Sequence, residues 1–108
     1  MGKKIEVVVA ADEPAQFYTS IGAAERAMEA IDVWDGVYTS AFRRDGERLG
    51  IEVQDDRVRL IPGGVDQNSR DELRHLLLRY MKFVGRVIPE DTRLESLINA
   101  CDSLAEDY

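Results

Sequence analysis

Residues 37–61 read VYTSAFRRDGERLGIEVQDDRVRLI, and this stretch decides the fold. Asp45-Gly46 joins two strand-like runs, and Asp-Gly in that position is the strongest short signal for a β-hairpin. The second run alternates apolar and polar residues, as does the run after Asp55-Asp56, so the two kinds of side chain lie on opposite faces of a strand. We therefore predict an antiparallel meander with one polar face. Its strands are Val37–Arg43, Arg48–Gln54 and Arg57–Ile61.

A strand and a helix precede the meander in this interpretation. Lys4–Ala10 is rich in β-branched residues, and its unbroken Val7–Val9 run predicts a strand in the interior of the sheet. Thr19 or Ser20 offers a helix N-cap, and the apolar residues that follow recur at helical spacing as far as Ile31. We therefore predict one amphipathic helix of about twelve residues, ending near the turn at 32–36.

The last third of the chain has the pattern of two helices. Ser69-x-x-Glu72 is typical of a capping box, and an apolar stripe at helical spacing runs from there to Val84. Gly85 is suited to end that helix. Thr92-x-x-Glu95 is a second predicted capping box, followed by a helix with an apolar face over 94–104.

These elements follow one another in the order β-α-β-β-β-α-α. Such an order, with its strands grouped and its helices grouped, is typical of the α+β class. We predict a single α+β domain over residues 1–108. Its antiparallel sheet has about four strands, with the helices packed on one face.

Composition limits the partners and the location of the protein. The chain carries 21 acidic and 14 basic residues among its 108, a formal net charge of −7, so we expect no direct binding of nucleic acid. No run approaches the roughly 20 apolar residues of a membrane span, and the apolar stretch 5–11 is too short for a signal peptide. A lone cysteine, Cys101, is in keeping with the cytoplasm. We expect a cytoplasmic protein that does not associate with membranes.

The residue types that usually carry catalysis are scarce. His75 is the single histidine, and Cys101 lies on the apolar stripe of the last helix, where a thiol is buried and inert. One histidine and one cysteine cannot supply the four such ligands of a structural zinc site. Gly63-Gly64 is not followed by the Lys-Ser/Thr of a phosphate-binding loop. We therefore expect no catalytic residues, no cofactor and no metal, and a protein that is not an enzyme.

The one tryptophan of the chain, Trp34, stands in a polar turn between Asp32 and Asp35. Two interpretations are open. Trp34 either folds back over the open end of the sheet or anchors an interface, because tryptophan is enriched at binding hot spots and neighbouring acids steer a basic partner. The candidate partner-binding residues are Trp34, Asp32, Asp35, Glu29, Asp55 and Asp56.

Charge is unevenly distributed along the last third. Residues 70–86 hold five basic residues and two acidic ones, whereas residues 89–108 hold six acidic residues and one basic one. Either the two helix faces lie side by side and neutralise each other, or part of the acidic surface meets a basic partner.

The runs 30–38, AIDVWDGVY, and 41–46, AFRRDG, resemble a core pattern of small immunity proteins. These proteins belong to bacterial polymorphic-toxin and contact-dependent inhibition systems, and the likeness extends in layout over about residues 4–84. The resemblance implies a small acidic inhibitor that binds one folded, basic toxin domain and covers its active site. Members of such families often present acidic residues in the manner of a nucleic-acid substrate.

Three other classes stay open at this point. A secretion or assembly chaperone or adaptor would bind an unfolded segment along a sheet edge or a helix groove. A sensor domain would hold a small molecule between sheet and helices, and ligands would stabilise it. An enzyme based on carboxylates is the fourth possibility. The sequence leaves the protein as either a monomer or a homodimer.

Overall fold

The computed structural model describes residues 4–11 and 14–106. In these residues the chain forms five strands and four helices. In chain order they are β1 (Val7–Ala10), β2 (Ala15–Tyr18), α1 (Ile21–Ala27), α2 (Ala30–Trp34), β3 (Ser40–Arg43), β4 (Arg48–Gln54), β5 (Arg57–Pro62), α3 (Gln67–Phe83) and α4 (Leu94–Glu106).

Within the described part of the chain, all five strands join one antiparallel sheet in the order β2-β1-β3-β4-β5. Val8 of β1 lies opposite Phe17 of β2 on one side and Phe42 of β3 on the other. Every residue of β1 is buried, which confirms the interior strand predicted from the Val7–Val9 run. The meander of β3, β4 and β5 and the α+β class are also confirmed.

Helices cover both faces of the sheet, so the expectation of helices on one face is wrong. On one face α3 and α4 pack over a cluster that includes Val8 and Phe42. On the other face α1 and α2 pack over a second cluster that includes Val7 and Ala41. The physical reason lies in β1, all of whose residues are apolar, and in the consecutive apolar residues Ala41 and Phe42 of β3. Their side chains alternate between the two faces, so each face needs its own cover.

The segment between β1 and β3 differs from the prediction in two ways. Residues 15–18 form a fifth strand. The sequence did not indicate it, because four residues directly after the turn-like sequence 11–14 are too few to show alternation. The predicted twelve-residue helix is broken, because Met28 and Glu29 have extended backbones between α1 and α2. Ser20 does cap α1, accepting a hydrogen bond from the amide of Ala23 at 3.0 Å. The break moves Ile31 off the buried stripe.

Both later helices begin away from their predicted caps. The N-cap of α3 is Asp66, and the carboxylate of Asp66 accepts from the amide of Ser69 at 2.7 Å. The Ser69 hydroxyl accepts in turn from the amide of Asp66 at 2.9 Å, so Ser69 is the third residue of a capping box and not its cap. The α4 helix begins at Leu94, two residues after the predicted cap Thr92. Gly85 follows the end of α3 with a φ of +81°, as predicted.

A partly buried ion pair ties α4 to the start of β1. Arg44 Nη2 lies 2.8 Å from Asp102 Oδ2, and the two side chains are 23% and 14% exposed. Asp102 Oδ1 accepts from the amide of Ile5 at 2.8 Å, and Arg44 Nη1 donates to the carbonyl oxygen of Ile5 at 2.5 Å. The pair therefore satisfies both backbone groups of the residue that leads into β1.

The outer edge of the sheet at β5 is closed to further strands. At the end of the β4–β5 ladder, the Gly63 amide donates to the backbone carbonyl oxygen of Arg48. Because successive backbone nitrogens of a strand point to opposite sides, those of Leu60 and Pro62 face away from β4. The Leu60 amide donates to the Glu25 carboxylate of α1 at 2.9 Å, and proline has no amide hydrogen. An approaching strand finds few free donors on this edge.

The structure buries the one thiol of the chain. Cys101 packs in the α3–α4 cluster and is 2% exposed. Burial, with a smaller effect of the Asp102 charge, raises the pKa of this thiol from 9.0 to about 12. The prediction of a buried thiol is confirmed.

We expect Cys101 to resist thiol reagents at pH 8 in native buffer and to react stoichiometrically in denaturant. The unfolded chain loses the thiol proton above its ordinary pKa of 9.0, whereas the folded chain keeps it, so this group should also reduce stability as the pH rises from 9.0 toward 12. A colorimetric thiol assay with and without denaturant measures the first effect. Complete labelling of the native protein within the dead time would contradict the prediction.

Candidate functional site

The short helix α2 directs large apolar side chains into solvent. Ile31 and Trp34 are 57% and 65% exposed, and their spacing of three residues places them side by side on a helix. Val33 lies on the opposite side and packs against the cluster beneath α1 and α2. Trp34 therefore does not fold back into the sheet, and the interpretation that it covers the open end is wrong.

Hydrogen bonds fix the turn that holds Trp34. The amides of Asp35 and Gly36 donate to Ile31 and Val33, and the Val37 amide reaches back to the carbonyl of Asp32 at 2.9 Å. Gly36 has a φ of +75°, a conformation that side-chain-bearing residues rarely adopt. This ending of α2 holds Trp34 in a defined place, so little ordering is required when a partner binds.

Acidic residues surround the apolar pair. Glu29 and Asp35 are exposed at the two ends of α2, and Asp32 lies half-buried between them. We call the set of Glu29, Ile31, Asp32, Trp34 and Asp35 the acidic face. Sequence reasoning found four of these residues and assigned Ile31 to the core, since the helix break that exposes it leaves no signal in the sequence.

Two tyrosines lie beneath the acidic face. Burial and then the negative charge of Asp32 raise the pKa of the Tyr38 hydroxyl above its ordinary 10.0. Burial and then Tyr38 raise the pKa of Tyr18 in the same direction, and the Tyr18 hydroxyl donates to Gln16 at 2.7 Å. Both hydroxyls therefore stay neutral at physiological pH and add no negative charge to the face.

Of the two predicted acids of the β4–β5 turn, only Asp56 lines a groove together with a residue of the acidic face. Asp55 and Asp56 form the turn with φ values of 51° and 63°, and both are exposed. Asp56 lines an open groove of about 630 Å³ together with Glu29, whereas Asp55 does not line it. The same groove is lined by basic residues that the sequence did not associate with the site, namely Arg26, Arg57 and Arg59.

Other chemistry is sparse in the part of the chain that the structure describes. His75 is exposed on α3, while Cys101 is buried on α4. Residues 4–11 and 14–106 contain no group of three or more His, Cys, Asp or Glu side chains placed to hold a metal ion. None of the helices in the same ranges is long and apolar enough to cross a membrane.

Comparison with known proteins adds no relative. No protein-family model matches the chain, and no curated protein or solved structure is similar to it.

Proposed function

We propose that the protein is a non-catalytic inhibitor of the immunity class that binds a folded, basic toxin domain through its acidic face. The observation that carries the proposal is Trp34, 65% exposed on a hydrogen-bonded turn beside the exposed Ile31. Adjacent exposed apolar side chains mark interaction surfaces, and tryptophan is enriched among the residues that dominate binding energy at interfaces.

The surrounding charge favours a basic partner over an acidic one. Glu29, Asp32 and Asp35 lie within the two turns that hold Trp34, and the chain as a whole has a net charge of −7. Opposite charge on the partner raises the association rate and orients the encounter. An apolar centre with a charged rim is the usual anatomy of a protein interface. By this proposal the complex forms in the bacterial cytoplasm.

The chain offers a matched control for Trp34. Phe83 is equally exposed, at 65%, but it belongs to α3 on the other side of the sheet. Removing either side chain takes away a similar exposed aromatic surface. A difference in binding between the two variants therefore reports the location of the interface and not a loss of hydrophobic surface in general.

We expect Trp34→Ala to weaken the complex by at least about 30-fold, the lower limit for a hot spot, and Phe83→Ala to leave it unchanged. The wild-type chain, tagged, is first used to capture a near-stoichiometric partner from native bacterial lysate at low salt. Titration calorimetry of that purified partner with the three proteins then gives the affinities. Thermal melts should show nearly equal midpoints for both variants.

Several results would count against the proposal. A captured partner that is acidic, or whose activity persists in the complex, would contradict inhibition of a basic toxin. A partner bound only when unfolded would indicate a chaperone. A large fall in the melting temperature of Trp34→Ala would make Trp34 a structural residue.

A further inference from the structure

Two arginines of α3 have partners within the fold. Arg70 forms an ion pair with Glu95 of α4 at 2.5 Å. Arg74 donates to the backbone carbonyl oxygens of Glu90 and Thr92. The expectation that the basic and acidic segments lie side by side is therefore met at the N-terminal half of α3.

The remaining basic side chains of this region have no partner in the described residues. His75, Arg79, Lys82 and Arg86 are all exposed, and none of their side chains makes an ion pair or hydrogen bond with residues 4–11 or 14–106. His75, Arg79 and Lys82 follow one another at intervals of four and three residues, which places them along one side of α3, and Arg86 follows shortly after the helix ends. Three of these side chains, those of Arg79, Lys82 and Arg86, are cations left in solvent on a chain with a net charge of −7.

This row borders an open groove of about 940 Å³. The groove is apolar underneath, where Phe42, Leu76 and Ile88 line it. Its two acidic lining residues are Glu72 and Glu90, and Glu72 is already paired with Arg48 at 2.9 Å. The groove therefore combines an apolar base with a surplus of positive charge.

The dimensions favour an extended chain as occupant. From His75 to Lys82 the row spans about 10 Å at the rise of an α-helix, which matches about three residues of extended peptide, and Arg86 extends it beyond the end of α3. Neighbouring members of the row in α3 are about 4.5–6 Å apart along the axis, somewhat less than the roughly 6.7 Å between alternate residues of a strand, a difference that long basic side chains can span. Carboxylates on alternate residues can thus follow the row while the residues between them enter the groove.

We propose that this groove binds an extended acidic peptide segment in which apolar residues alternate with carboxylates. The site lies on the α3 side of the sheet, opposite the acidic face. It binds a ligand of negative charge, whereas the acidic face binds a basic partner. The proposal is therefore independent of the proposed inhibitor function. Phe42, the one Phe, Tyr or Trp among the described residues that line the groove, is only 1% exposed, so the groove offers no aromatic platform for stacking nucleic-acid bases and favours a peptide. A concave groove also fits a peptide better than the flat surface of a membrane.

The test uses a fluorescein-labelled peptide of alternating Glu and Leu and its counterpart of alternating Lys and Leu. Fluorescence anisotropy should show saturable, salt-sensitive binding of the Glu peptide in the micromolar range and none of the Lys peptide. Arg79→Glu/Lys82→Glu should weaken binding at least about tenfold, while Trp34→Ala should bind as the wild type does. Both substituted positions on α3 are exposed, so circular dichroism should report an unchanged fold.

Each other outcome would overturn the proposal. These outcomes are no saturation at millimolar Glu peptide, equal binding of the Lys peptide, or equal binding by the α3 double variant. Single-stranded oligonucleotide or anionic lipid vesicles that bind the same row more tightly would transfer the site to phosphate-bearing partners. Failure here leaves the Trp34 experiment unaffected, because the two faces carry separate variants.

Discussion

Asp102→Ala is expected to lower the free energy of unfolding by about 3 kcal/mol, the lower end of the range for breaking a buried pair. The change removes the acceptor for the Ile5 amide and the counter-charge of Arg44 together. The Arg44 guanidinium, 23% exposed, then stays partly buried without a carboxylate. Partial exposure keeps the loss below that of a fully buried pair.

Urea unfolding followed by circular dichroism measures this loss, with Glu72→Ala as the control. Glu72 pairs with Arg48 at a similar distance of 2.9 Å, but the two side chains are 50% and 43% exposed. An exposed pair contributes about 1 kcal/mol or less, since solvent screens it. Equal losses in the two variants would show that the Arg44–Asp102 pair does not hold α4 to the start of β1.

Gly46→Ala is expected to lower the free energy of unfolding by about 3 kcal/mol, the sum of a backbone cost and a collision. Gly46 has a φ of +98° at the β3–β4 turn, where a residue with a side chain is strained. A Cβ atom there would stand 2.6 Å from Arg70 Cγ and 3.0 Å from Arg70 Cα. The turn and α3 would have to separate.

Gly85→Ala separates the two contributions. Gly85 has a φ of +81° but no heavy atom within 4 Å of the Cβ position, so it carries the backbone cost alone, about 1 kcal/mol. Chemical unfolding of the two variants under the same conditions gives the difference. Equal losses would contradict the close approach of α3 to the β3–β4 turn.

Regular patterns in the sequence predicted most of the fold. The alternation in β4 and β5 and the helical stripe of α3 each extend over several repeats, so local sequence determines them. β2 has only four residues and no alternation, and pairing with β1 makes it a strand. The break between α1 and α2 follows neither glycine nor proline, so packing over the sheet and not local propensity sets it.

The candidate sites were less predictable, because both depend on exposure and tertiary position. The sequence identified the residues around Trp34 as candidates. The two interpretations of Trp34 differ only in whether its side chain is buried, which the sequence does not determine. The α3 groove requires the segment 86–90 to return beside the helix. The sequence left open whether the last two helices neutralise each other. In the described residues they share the Arg70–Glu95 ion pair, while Arg74 binds backbone carbonyl oxygens.

The two apolar clusters lie on opposite faces of one sheet and have no side chain in common. The α1–α2 layer is the lighter of the two, since its helices have seven and five residues and bury few side chains. We therefore expect the amide hydrogens of the α1–α2 layer to exchange with solvent by local unfolding, while the α3–α4 layer stays folded. A partner that binds the acidic face would slow exchange mainly in this layer, so the region that makes the complex is also the region that the complex protects.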